Sequence, residues 1–121
     1  MSKNPEQTWT AYTLAWKAAS AEEQRAQFAR SLTPTCVYTD PLVRAEGWDA
    51  LVAYMDAFHE QVPGGHFQTT YFLAHSGRCI AKWNMVDAQG AVLSDGISYG
   101  EYGSDGKLLA MTGFFETPPS A

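Results

Sequence analysis

The sequence predicts an α+β fold in which three helices come first and a meander of four strands follows. Three observations carry this prediction. Apolar residues recur at three- and four-residue spacing as far as Val62, and after Gly65 the period changes to two. The short breakers "SG", "DAQG" and "GSDG" then divide the remainder into strand-length runs, and each is suited to a hairpin loop. That order implies helices packed on one face of a curved antiparallel sheet.

The first helix is expected over Thr8–Ala19, because Trp9, Tyr12, Trp16 and Ala19 fall on one helical face. Ser20 and Glu23 have the form of a capping box, so a second helix should run from Ala21 to about Ser31, bury Phe28 and Leu32, and close at Pro34. A short strand, Cys36–Thr39, ends at Asp40-Pro41, and a loop follows to Glu46. Trp48, Leu51, Val52, Met55, Phe58, His59 and Val62 mark the third helix, stopped by Pro63-Gly64-Gly65. The four strands are His66–Ser76, Arg78–Asp87, Ala91–Tyr102 and Lys107–Glu116, and "TPPSA" reads as a frayed tail.

A chain of 121 residues makes one domain. Thirteen acidic against eight basic residues give a net charge of −5, with no basic cluster, which argues against a nucleic-acid or anionic-membrane surface and for a small apolar ligand. No run of about 18 apolar residues occurs and the N-terminus lacks the layout of a signal peptide, so a soluble cytoplasmic protein is expected. Cys36 and Cys79 show no metal or disulfide spacing and read as buried thiols.

Asp40 is the first candidate site residue. An Asp before Pro at a strand end serves as a turn initiator or as a base, and alternation through Cys36 and Tyr38 places it on a face with two buried side chains. Asp95, flanked by Leu93 and Ile97, is either a cavity acid or an exposed strand residue, and Gly96 marks a candidate bulge able to turn Asp95 and Ser98 inward. His59 lies on the apolar stripe of the third helix, as a core residue or a proton carrier. Tyr12, Trp16, Tyr38, Tyr54, Phe58, Trp83, Tyr99 and Phe114 are candidate cavity walls, with at most one of Trp83 and Asn84 facing inward. His66, His75, Arg44 and Arg78 read as surface groups.

The element order, the "YTDP" stretch, the helix "GWDALVAYM" and the meander "KWNMVDAQGAVLSDGISYGEYGSDGKLLAMTGFF" resemble the nuclear transport factor 2-like superfamily, and within it SnoaL-like and ketosteroid-isomerase-like proteins. The resemblance implies a cone whose bent sheet and three helices enclose an apolar cavity, and a homodimer formed through the outer sheet face. It places Asp40 at the position of the isomerases' general base and Asp95 at that of their protonated acid. Trp16 stands where a helix-one tyrosine would be, Met55 where a third-helix tyrosine would be, and the Gly-x-Asp of SnoaL-type cyclases reads Gly96-Ile97-Ser98. Two functions follow as expectations. One is an isomerase, dehydratase or polyketide-cyclase type enzyme in which Asp40 abstracts a C–H proton and Asp95, Tyr12, Tyr54 or Tyr99 steadies the enolate, chemistry that requires no cofactor or metal. The other is a non-catalytic module that binds a hydrophobic metabolite or a protein partner.

Overall fold

The computed structural model describes residues 4–117; of the expected tail, all but Thr117 lies outside them. Helices α1 (Pro5–Lys17) and α2 (Ala21–Ser31) are followed by strands β1 (Leu32–Thr39) and β2 (Arg44–Glu46) and then by helix α3 (Gly47–Gln61). Strands β3 (His66–His75), β4 (Arg78–Val86), β5 (Val92–Tyr102) and β6 (Leu108–Phe114) complete the domain.

Helix α1 begins three residues before the expected Thr8, because Asn4 accepts from the Glu6 and Gln7 amides and Pro5 occupies the first helical position, and it ends at Lys17, two residues before the expected Ala19. Ser20 caps α2 as its spacing predicts, its Oγ accepting from the Glu23 amide at 3.2 Å. Helix α2 ends at Ser31, so Pro34 lies inside β1 and does not close the helix. Pro34 cannot donate to a ladder, and the pairing of β1 with β6 jumps from Leu32↔Leu108 to Val37↔Ala110 across it.

The sheet order is β2-β1-β6-β5-β4-β3. Strands β3 to β6 form the expected antiparallel meander, but β1 pairs with β6 in parallel, so the sheet is mixed rather than wholly antiparallel. The expected loop before Glu46 contains β2, which pairs back on β1 through Tyr38↔Ala45 and Thr39↔Arg44. This hairpin closes around Asp40. Its amide donates to the Val43 carbonyl at 2.9 Å, and Arg44 pairs with Glu46 on the outer edge.

The helices cover one face of the sheet, and the core between them holds Trp9, Tyr12, Trp16, Phe28, Leu51, Met55, Leu108 and Met111. Trp9 lies across β5 at Gly100, where an added Cβ would come within 3.2 Å of the indole. Gly96 has the same use four residues earlier on the same face of β5. The expected bulge is absent there, since Trp83↔Gly96 and Asn84↔Asp95 keep regular register, and the Trp83 ring covers the glycine instead. A Cβ at Gly96 would overlap that ring and approach the Phe114 carbonyl to 2.7 Å. Gly96→Ala is therefore expected to cost about 1–3 kcal/mol by overpacking, read as a lowered denaturant midpoint with an unchanged slope.

Candidate functional site

Asp40 ends β1 on the inner face, 8% exposed, and both of its carboxylate oxygens are committed. Oδ1 accepts from the backbone amides of Leu42 at 2.8 Å and Val43 at 3.1 Å, which holds the β1–β2 turn. Oδ2 accepts from the hydroxyls of Tyr38 at 2.6 Å and Tyr54 at 2.7 Å. One oxygen thus shapes the turn, as an Asp before Pro commonly does, and the other is held by two phenol hydroxyls.

Two elements bring the tyrosines together. Tyr38 is two residues before Asp40 on the same strand face, and Tyr54 descends from α3. Gly113 of β6 forms the floor: a Cβ there would lie 3.5 Å from both the Asp40 Cβ and the Tyr38 hydroxyl. Trp16 forms the ceiling, its ring centroid 5.8 Å from Tyr38, 5.9 Å from Tyr54, 5.7 Å from Phe58 and 5.2 Å from Phe67. Phe67 continues the aromatic wall to Trp83 at 5.0 Å.

His59 is a structural tie. Its Nε2 lies 2.5 Å from the Trp16 carbonyl, one of the acceptors left open at the end of α1, and so fixes Trp16 from α3. A pocket of about 30 Å³ remains on the sheet side of Trp16, lined by Trp9, Tyr12, Thr13, Trp16, Tyr38, Phe67, Trp83 and Ser98. Trp83 faces inward, its indole N–H donating to the Ser98 Oγ at 2.9 Å, and Asn84 faces outward.

The remaining expected site residues lie elsewhere. Asp95 is exposed and shares the outer face of β5 with Ile97 and Tyr99, opposite to Ser98, because the strand keeps its register at Gly96. Phe114 pairs with Ile97 on that same outer face, 58% exposed. These three side chains, Asp95, Tyr99 and Phe114, are therefore separated by the sheet from Asp40, and the expected Asp40–Asp95 pairing does not form. Sequence reasoning missed Phe67 and Trp9 as site walls. Phe67 escapes alternation because a register shift between Thr69 and Tyr71 reverses the parity of β3, whereas Trp9 was legible from its place on the Tyr12–Trp16 face.

Burial is the main electrostatic influence on the tyrosines. It pushes the hydroxyls of Tyr12, Tyr38 and Tyr54 well above their usual 10, and the adjacent Asp40 carboxylate adds to the effect. Burial also raises Tyr102, and it pushes the Cys36 thiol up to about 11. All are protonated in the fold, whereas the unfolded chain ionises tyrosine near 10. Their stabilisation is complete below the unfolded value and is lost as pH rises toward the folded one. Unfolding midpoints should therefore decline above about pH 10. Tyrosinate absorbance from these four of the six tyrosines should appear together with loss of ellipticity, and earlier ionisation would contradict the buried cluster.

Among the described residues no group of three or more His, Cys, Asp or Glu side chains is placed to hold a metal. No described helix is long and apolar enough to cross a membrane.

Three helices on an open six-stranded mixed sheet form the α+β cone fold of solved nuclear transport factor 2-like proteins. The chain belongs to the SnoaL-like family, whose domain model matches residues 12–111. Among solved structures it is similar to a protein from Agrobacterium tumefaciens named an isomerase of the SnoaL-like family, at 20% identity and a TM-score of 0.83 over 93% of this chain and 97% of that one. A protein from Sinorhizobium meliloti named a polyketide cyclase is 11% identical, with a TM-score of 0.70 over 88% of this chain and 93% of its own. A protein with a ketosteroid-isomerase-like fold from Catenulispora acidiphila, in complex with trimethylamine, is 8% identical with a TM-score of 0.74, covering 91% of this chain and 85% of that one. None of the curated proteins matches the sequence.

Proposed function

We propose that this SnoaL-like protein is a small-molecule enzyme of the isomerase, dehydratase or cyclase type, with Asp40 the base that moves a proton on a small apolar carbonyl compound. The observation that carries this reading is the Tyr38–Asp40–Tyr54 cluster, in which two hydroxyls kept neutral by burial converge on a single carboxylate oxygen inside an aromatic shell. A C–H acid resting on that shell takes the place of one of the two hydroxyls at Oδ2 and gives its proton there, while the other tyrosine and the turn amides hold the carboxylate. Neighbours named isomerase and polyketide cyclase agree with such chemistry.

The test is deuterium incorporation in D₂O next to the carbonyl of small enones, beginning with 2-cyclohexen-1-one. Wild type should accelerate exchange. Asp40→Asn, which preserves the shape and can still accept the turn amides at Oδ1, should lose about 10²–10⁴-fold while remaining folded. Equal exchange by wild type and Asp40→Asn would remove Asp40 from the role.

A second reading, a non-catalytic binding module, is favoured by one observation: the pocket beside the cluster holds only about 30 Å³, because Trp16 and Phe67 fill the space. On that reading ligands bind with no exchange by any variant.

We also infer a homodimer through the outer sheet face. Two cross-strand rows run there, Tyr71–Lys82–Ile97–Phe114 and Leu73–Ile80–Tyr99–Thr112. Tyr71, Leu73, Ile80, Ile97 and Phe114 are between 39% and 58% exposed, an apolar face suited to a second copy. Ile97→Lys is expected to halve the mass measured by light scattering, and a wild-type protein that is already monomeric would reject the inference. The two free buried thiols, Cys36 and Cys79, suit a reducing compartment such as the cytoplasm.

A further inference from the structure

The pocket on the sheet side of Trp16 has an unbalanced polar lining. The Trp9 indole N–H is buried, with the residue 2% exposed, and has no hydrogen-bond partner. Ser98 uses its oxygen to accept from Trp83, so its own proton must find another acceptor. Tyr12, 4% exposed, lines the same space, and burial keeps its hydroxyl protonated and able to donate. Three side chains that line one small space thus bring protons to it, and no carboxylate or imidazole lines it. Buried donors in native proteins are almost always paired. The space of about 30 Å³ is large enough to admit a water molecule.

We propose that the Trp9, Tyr12 and Ser98 side chains form a binding site for a single acceptor oxygen, held by a water in the free protein and taken over by the carbonyl oxygen of the ligand. This deepens the enzymatic reading and rests on it only for the identity of the ligand: the site selects oxygen-bearing ligands over hydrocarbons of the same shape. It lies beside Tyr38, which also lines the space, so a carbonyl seated there directs its adjacent carbon toward the Asp40 side of the aromatic shell. No bond is made or broken at the site itself; it orients the ligand and hydrogen-bonds its oxygen.

The experiment uses the whole chain labelled with ¹⁵N at its tryptophan indoles, with the Trp9 signal assigned through Trp9→Phe. In the free protein, a magnetisation-transfer contact between bound water and the Trp9 indole proton is expected; its absence overturns the resident oxygen. The protein is then titrated separately with 2-cyclohexen-1-one and with cyclohexene. The ketone should move the Trp9 indole signal and bind about 3- to 10-fold more weakly to Tyr12→Phe and to Ser98→Ala than to wild type. Cyclohexene should leave the Trp9 signal in place and bind all three alike. A ketone that leaves Trp9 unmoved, or binds the variants as tightly as wild type, overturns the site. Deuterium exchange in the same samples separates the two ideas: a moved Trp9 signal without exchange retains the oxygen site and removes Asp40 as base, and exchange with an unmoved Trp9 does the reverse.

Discussion

Asp40→Ala is expected to destabilise the domain by about 2–4 kcal/mol, because it strands four donors at once. The Tyr38 and Tyr54 hydroxyls lose their shared acceptor, and the Leu42 and Val43 amides lose the oxygen that holds the turn. Coupling separates these parts. Tyr38→Phe and Tyr54→Phe should each cost about 1 kcal/mol in the wild-type chain, and close to nothing in the Asp40→Ala background, where the hydroxyl has no carboxylate to meet. Denaturant unfolding of the single and double variants provides the measurement. Additive losses would show that the tyrosines are held by packing alone and that the cluster has no energetic unity.

Trp16→Ala should cost about 3–5 kcal/mol, the range for deleting a buried aromatic ring from a close-packed interior. Its consequence for binding is the sharper expectation. The indole touches Tyr38, Tyr54, Phe58 and Phe67, so its removal leaves a ring-shaped slot bounded by aromatic faces beside Asp40. Added indole should bind there and raise the thermal midpoint of Trp16→Ala. Trp48→Ala provides the control, because that ring packs on Phe28 and donates to the Thr33 carbonyl away from the site. Equal stabilisation of both variants would make the slot an ordinary core void; stabilisation of Trp16→Ala alone would show that Trp16 occupies the position of a ligand.

Much of the architecture was legible locally. Ser20 with Glu23 announces α2, the Leu51–Val52–Met55 spacing announces α3, and the Gly-containing breakers divide the meander, because caps, periods and turns are set by residues close in sequence. Half of the site was legible for the same reason: Tyr38 and Asp40 share a face by simple alternation. What was not legible depends on distant partners. Strand β2 has three residues and exists only through its pairing with β1, and β1 runs parallel to a strand from the far end of the chain. The face occupied by Asp95 depends on whether Gly96 bulges, and the answer lies in the Trp83 ring covering it. Tyr54 was a candidate wall from the sequence, but its hydroxyl meets Asp40 only after α3 packs onto β1, and that pairing was not legible.

The parallel pairing of β1 with β6 has a consequence for the order in which this molecule is made. Tyr38 is registered against Met111, and Gly113 lies beneath Asp40, so the floor of the site is delivered by a strand synthesised long after β1. A chain growing from the ribosome can form its helices and the β3–β4 hairpin early, since those contacts are local, but β1 must wait with one edge open until β6 emerges. The carboxylate and its tyrosines thus become a finished constellation only when the two ends of the fold meet. Nascent or C-terminally shortened chains would carry every residue of the Tyr38–Asp40–Tyr54 cluster without the surface that seats it.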